Sequence, residues 1–232
     1  MALRRIDLEY INGCIFETLG ELSGKHMLEL GNQYIIEDSI PEKIGKKYFN
    51  NRGVNHVSVD LNGLDDALKL DLSKPEQFLI WHSYFDIVTN SGTSEHVEPK
   101  SGQYNCFLII HNCLKVGGVA IHLIPDANEL KDKMCWKGHC NNYYSCDFVR
   151  MLAKNNNYKL ISLKIMDGLV CFCLQKTEDA PFMENRREFL KHITRRSGGA
   201  IYPGINDRGI YGVKSFLGKI KRKLIQKPMN AG

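Results

Sequence analysis

Residues 26–33 narrow the choice of fold more than any other stretch of this chain. An apolar run, Met27-Leu28-Glu29-Leu30, carries an acid near its end and breaks at Gly31, with Asn32 and Gln33 following. About thirty residues later a second strand-like run, His56-Val57-Ser58-Val59-Asp60, also ends in an acid. Two such runs with a helical pattern between them imply neighbouring parallel strands, because a parallel pair needs a long crossover. In sheets of that kind, ligands bind beyond the carboxyl ends of the strands, near the point where the strand order reverses. The pair therefore predicts a nucleotide-like ligand held by Gly31 and Asp60.

The rest of the chain continues the alternation. Residues 41–50 predict a helix capped by Ser39, with Pro41 in its first turn. The alternating Leu68-Lys69-Leu70-Asp71-Leu72 predicts a third strand, and Ser73 with Glu76 a helix start. Phe85-Asp86-Ile87-Val88-Thr89-Asn90 is a fourth strand. Residues 104–114 carry apolar side chains at helical spacing and stop at Lys115-Val116-Gly117-Gly118, before a fifth strand over 119–124. A long polar and aromatic loop, 126–142, precedes a helix over 146–154. Two last strands, 158–165 and 169–174, are joined by the turn signal Asp167-Gly168 and must run antiparallel. The expectation is an α/β fold: a seven-stranded, mostly parallel Rossmann-like sheet with an antiparallel last strand and helices on both faces. Residues 1–24 read as a lead-in, 25–178 as the domain and 179–232 as a C-terminal extension.

Charge is unevenly placed. The chain has 31 Lys and Arg against 26 Asp and Glu, a net +5. Seven of the basic residues, and no acid, lie from Arg208 onward, so the remainder carries −2. A nucleic-acid-binding domain more often has a basic face through its body, so nucleic acid is not the expected partner. Val213, Phe216, Leu217, Ile220 and Leu224 share one helical face of the tail, a basic amphipathic pattern suited to a membrane surface or a protein partner. There is no apolar run of about 18 residues and no signal-peptide segment, so a cytoplasmic location is expected. Eight cysteines fit that location as reduced, mostly core residues. Cys135, His139, Cys140 and Cys146 are more loosely spaced than paired zinc ligands, and no metal is expected.

Gly31 lets the backbone turn tightly against a ligand. Asp60 can accept two hydrogen bonds from a ribose diol, or serve as a turn residue beside Asn62-Gly63; the residues alone leave both readings open. No G-x-G-x-x-G is present, which argues against a dinucleotide.

With Leu28-Glu29-Leu30-Gly31-Asn32, Val59-Asp60-Leu61-Asn62-Gly63, Leu70-Asp71-Leu72, Phe85-Asp86-Ile87-Val88-Thr89-Asn90, Ser94-Glu95-His96-Val97 and Leu114-Lys115-Val116-Gly117-Gly118 in this order, the chain resembles the class I S-adenosylmethionine-dependent methyltransferases, their small-molecule branch especially. The resemblance covers roughly residues 25–175. It implies that Glu29, Leu30, Gly31 and Asn32 line the methionine end of S-adenosyl-L-methionine and that Asp60 binds the ribose. It further implies that Leu61 lies against the adenine, that Asp71 and Leu72 reach its edge, and that Asn90 and Ser91 close the pocket under the sulfonium. The chain departs from the family at Asn32 and Gln33, where one or two further glycines usually stand. His96 is the candidate catalytic base, the competing reading being that Glu95 and His96 hold the loop. His122, His139, Tyr143 and Tyr144 are substrate-side alternatives, and His111, at mid-helix, a packing or surface residue. The implied activity is methyl transfer to a small molecule, a sugar or glycan-linked metabolite being one candidate. The alternatives are a catalytically inactive, cofactor-binding partner in an assembly, and an RNA methyltransferase using the basic tail. The DNA amino-methyltransferase signature is absent after the fourth strand, where Thr89-Asn90-Ser91-Gly92 stands.

Overall fold

Side chains alternate between two faces along every strand, and here both faces are apolar. In a computed structural model, which describes residues 2–128 and 139–196, the strands β1 (His26–Leu30), β2 (Asn55–Val59), β3 (Phe85–Ser91), β4 (Leu114–Pro125), β5 (Tyr158–Met166) and β6 (Leu169–Lys176) form one sheet in the order β2-β1-β3-β4-β6-β5. β2, β1, β3 and β4 are mutually parallel, and β6 runs antiparallel between β4 and β5. The order reverses between β1 and β3, so the switch point lies at Gly31 and Asn90.

Leu28, Val88, Ala120, Phe172 and Leu174 point to one face. There they pack with Phe107 and Ile110 of α3 (Lys100–Cys113), Phe148 and Leu152 of α4 (Cys146–Asn155) and Phe189 of α5 (Arg186–Lys191). Their sequence neighbours Met27, Ile87, Ile121, Cys171 and Cys173 point to the other. They meet Leu8, Ile11 and Ile15 of α1 (Arg5–Leu19) and Phe49 of α2 (Gly45–Asn50). Helices therefore cover both faces, as expected. At the start of α1 the Asp7 carboxylate accepts from Arg4 N–H at 2.9 Å and from the Arg4 guanidinium at 2.8 Å, and the Ser145 hydroxyl caps α4 by accepting from Phe148 N–H. The β5–β6 turn is the expected Asp167-Gly168, with φ of 47° and 75° at the two residues, the left-handed pair that a tight hairpin needs.

The structure differs from the sequence expectation in three places. The sheet has six strands, not seven. Residues 68–72 touch β2 through a single parallel bridge, Val59 to Leu68, after which the Asp71 carboxylate turns to accept from the Ser73 N–H and hydroxyl and ends the extension. The turn leads into a 3-10 helix, Pro75–Trp81, whose cap position is Lys74 and not Ser73. The second helix begins only at Gly45, because Tyr34–Ile35 pairs with Ala2–Leu3 and Tyr34 bridges Ile44, which holds the chain extended up to the helix. Residues 114–118 open β4 instead of forming a separate turn: α3 ends at Cys113 and the strand starts at once. The seven cysteines among the described residues are free thiols. No helix among the described residues is long and apolar enough to cross a membrane. The basic tail from Arg208 and Cys135 lie outside the described residues.

Candidate active site

Gly31 leaves β1 with φ of +81°, a conformation that strains any residue with a Cβ, and its N–H donates to Val59 O at 2.8 Å. The chain then crosses the end of β2. Asn32 N–H donates to Asp60 Oδ2 at 3.0 Å, and Asn62 N–H donates to Asp60 Oδ1 at 2.9 Å. Asp60 thus ties the β1 loop to the β2 loop, and the turn reading of this residue is realised in its bond to Asn62. A carboxylate offers about four lone-pair sites, so two backbone donors leave room for a ribose diol. The Asn32 side-chain amide donates to Leu64 O at 3.1 Å and Asp65 Oδ2 at 2.8 Å, which draws residues 60–66 over the loop.

The structure brings Leu30, Gly31, Asn32, Asp60, Asn90 and Ser91 to adjacent strand ends, with Leu30 paired to both Val59 and Asn90. Leu61 and Asp71 are half-buried and Leu72 is buried. Asp71 is spent largely on its own turn. Asn90 donates to Ser94 Oγ at 2.8 Å, lies 3.0 Å from His122 Nδ1, and accepts from Ser94 N–H through Oδ1. His122 is fully buried between Phe107 and Phe172, with ring planes 6° and 8° from parallel. Burial holds it neutral, with its pKa pushed down to about 3, so it is a core residue and not a substrate group. Tyr143 and Tyr144 are likewise wholly buried, and the Tyr144 hydroxyl donates to Gln103 Oε1 at 2.6 Å. His111 packs as expected, its Nε2 2.7 Å from Ala180 O.

Glu29, on the same strand, is buried beneath the loop that leaves β1. Its carboxylate accepts from Gln33 N–H at 3.4 Å, and Gly45 packs so close that a Cβ there would come within 2.6 Å of Oε1. Burial pushes Glu29 up to about 8 and His56, 3.7 Å away, down to about 3, favouring the neutral form of each. A raised acid stabilises the fold below its unfolded pKa and loses that contribution as pH rises through the folded value, here between about 4.5 and about 8. Glu29→Gln is therefore expected to flatten the fall in stability over that window. Urea midpoints of both proteins at about pH 5 and about pH 8.5 measure it, and an equal fall in both would refute the assignment.

Gln33 and Thr93 close over the turn at Gly31. Thr93 Oγ donates to Leu30 O at 2.7 Å, and Gln33 Nε2 donates to Thr93 Oγ at 3.1 Å and Leu30 O at 3.3 Å. Together they lie across Gly31, where a Cβ would stand 2.7 Å from Gln33 Nε2 and inside contact with Thr93 Oγ. Gln33 was visible as the missing glycine, whereas Thr93 gave no signal. Beside them Asn32 Oδ1, Gln33 Oε1 and Ser91 Oγ are buried polar atoms without a hydrogen-bond partner. A buried acceptor left unpaired costs roughly 1–3 kcal/mol, so this set suits a ligand that brings donors. The amino-acid ammonium and ribose hydroxyls of S-adenosylmethionine are such donors, and the residues present fit the group. His96 follows β3 in the short 3-10 turn Ser94–His96, with its Nε2 3.2 Å from His139 Nε2.

No family model matches the chain, and no curated protein does. Solved structures do. The chain is similar to the 1,6-didemethyltoxoflavin-N1-methyltransferase of Burkholderia thailandensis, solved with 1,6-didemethyltoxoflavin and S-adenosylhomocysteine, at 14% identity and a TM-score of 0.50, over 75% of this chain and 80% of that one. It is also similar to the PH0226 protein of Pyrococcus horikoshii OT3 (14%, TM-score 0.46, 74% and 91%) and to the N-methyltransferase NodS of Bradyrhizobium japonicum WM9 (12%, 0.43, 75% and 89%). The first likeness establishes the fold, a Rossmann-like methyltransferase fold.

Proposed function

We propose that this chain transfers a methyl group from S-adenosyl-L-methionine to a small-molecule acceptor. The observation that carries the reading is the convergence of Gly31, Asp60 and Asn90-Ser91 on three neighbouring parallel strands, beside the unpartnered Asn32 Oδ1, Gln33 Oε1 and Ser91 Oγ. Asp60 would hold the ribose through the lone pairs its backbone bonds leave free, with Leu61, Asp71 and Leu72 along the adenine. Gln33 and Asn32 offer carbonyl oxygens to the methionine ammonium. The cofactor supplies a methyl already activated by its sulfonium, so the protein's share is alignment, exclusion of water and, for a hydroxyl acceptor, removal of a proton. In the metal-free protein His96, in the turn that follows β3, is the imidazole for that proton. A sugar or glycan-linked acceptor and a cytoplasmic site of action remain part of this reading, as do contacts of the basic tail with a membrane surface or protein.

A second reading rests on Gln33 and Thr93. Their bonds across Gly31 narrow the methionine end, which favours a cofactor-binding partner protein without turnover. Incubation with methyl-labelled S-adenosylmethionine and a panel of hydroxyl, amine and sugar acceptors separates the two. Labelled product is the expected result. Cofactor binding with no product from any acceptor would replace the enzyme by the partner protein.

A further inference from the structure

The strongest unexplained feature outside the cofactor ledge is Glu95. Its carboxylate is wholly buried, and neither oxygen has a hydrogen-bond partner. Oε1 lies 3.9 Å from His96 Nε2 and 3.9 Å from His139 Nε2, and the two imidazole nitrogens are 3.2 Å apart. A point equidistant from these three atoms lies about 2.1 Å from each, which is the bond length of zinc to imidazole nitrogen and carboxylate oxygen. Two nitrogens and one carboxylate oxygen form a borderline-soft donor set that suits zinc better than magnesium or calcium.

The frame around the three groups is held in place. Gln103 donates to Ser94 O at 2.6 Å and Val97 O at 2.7 Å, and Asn142 donates to Glu95 O at 3.0 Å. Asn141 donates to Glu98 Oε1 at 3.0 Å, which anchors the segment that carries His139. Buried amides on both sides therefore fix the backbone of Glu95 and His96, as ligand orientation requires. The His139 side chain is 27% exposed against 0% for Glu95, so an ion can enter from the His139 side.

We propose that Glu95, His96 and His139 form a binding site for one divalent transition-metal ion, zinc by preference, with a fourth position open to water or an acceptor oxygen. Three protein ligands and an open fourth position are the pattern of catalytic rather than structural zinc. The ion takes the Nε2 lone pair of His96, so in the metal-bound protein this residue holds the ion and not a substrate proton. Only the use of the fourth position by an acceptor rests on the methyl-transfer reading; binding of the ion does not.

The test uses the full chain, stripped with a chelator and titrated with Zn2+ against a chromogenic competitor, and with Co2+ for its visible spectrum. One equivalent of Zn2+ is expected, with affinity lowered at least roughly tenfold in His139→Ala and restored in His139→Cys, which supplies a thiolate ligand. Co2+ should give tetrahedral visible bands without a thiolate charge-transfer band. No uptake by the wild-type chain, undiminished uptake by His139→Ala, or a thiolate band in the wild-type Co2+ spectrum would overturn the assignment. The spectrum needs no variant, so it decides even where a substitution prevents folding. S-adenosylhomocysteine binding, measured on the same samples, shows separately whether the cofactor reading stands.

Discussion

Asp60→Ala is expected to weaken binding of S-adenosylhomocysteine by about 100-fold or more. The carboxylate accepts from two backbone N–H groups, Asn32 on the β1 loop and Asn62 on the β2 loop, and it is the group assigned to the ribose hydroxyls. Hydrogen bonds to a charged group contribute roughly 1.5–3 kcal/mol each, and two lost ribose bonds alone amount to about 3 kcal/mol or more. Loss of the tether adds to this by freeing the Asn32 loop. Asp60→Asn keeps an acceptor oxygen and a similar shape, so it should retain more affinity than Asp60→Ala. Calorimetric titration of the three proteins measures the series. An unchanged dissociation constant in Asp60→Ala would leave Asp60 as a turn residue alone.

Gly31→Ala should cost about 2–4 kcal/mol of stability, through two separable effects. The first is backbone strain at a φ of +81°. The second is collision of the new methyl with Thr93 Oγ and with Gln33 Nε2, where the ideal Cβ would stand 2.7 Å away. Thr93→Ala removes the hydroxyl, so in its background Gly31→Ala should cost less than in the wild type, though still something for the strain. Urea unfolding of the four proteins in a double-mutant cycle gives the coupling. Full additivity would show that Thr93 does not press on Gly31.

The contrast between these residues marks what could be read in the chain. Local signals carried far: the acid at the end of β2, the glycine at the end of β1 and the Asp167-Gly168 hairpin all depend on near neighbours, and the structure places them as the spacing implies. The switch point followed from them, because the crossovers between parallel strands leave few orders open. The alternating 68–72 segment has the right pattern, but it sits beyond β2 at the edge of the sheet, where a single bridge to Val59 and the turn at Asp71 end it. The late start of α2 depends on residues 2 and 3 pairing with residues 34 and 35, which no local window reveals.

The site shows the same division. The placement of Gly31, Asp60 and Asn90 at adjacent strand ends was legible, while the bond of Gln33 to Thr93 joins positions 60 residues apart in the chain. The burial of Glu95 agrees with the reading in which Glu95 and His96 hold the loop, which Gln103 of α3 and Asn142 close by bonding its backbone. His122 misled: its place on a strand near the pocket suggested a substrate role, and only the stacked Phe107 and Phe172 show it to be core.

Gln33 makes the cofactor question quantitative. Its amide bonds Thr93 directly across Gly31, beside the strand end assigned to the methionine moiety. Titration of the full chain with S-adenosylmethionine and S-adenosylhomocysteine by calorimetry therefore tests the central claim most directly. Saturable binding of both at one site, weakened in Asp60→Ala, is the predicted result. Absence of heat from either ligand at millimolar concentration would contradict it.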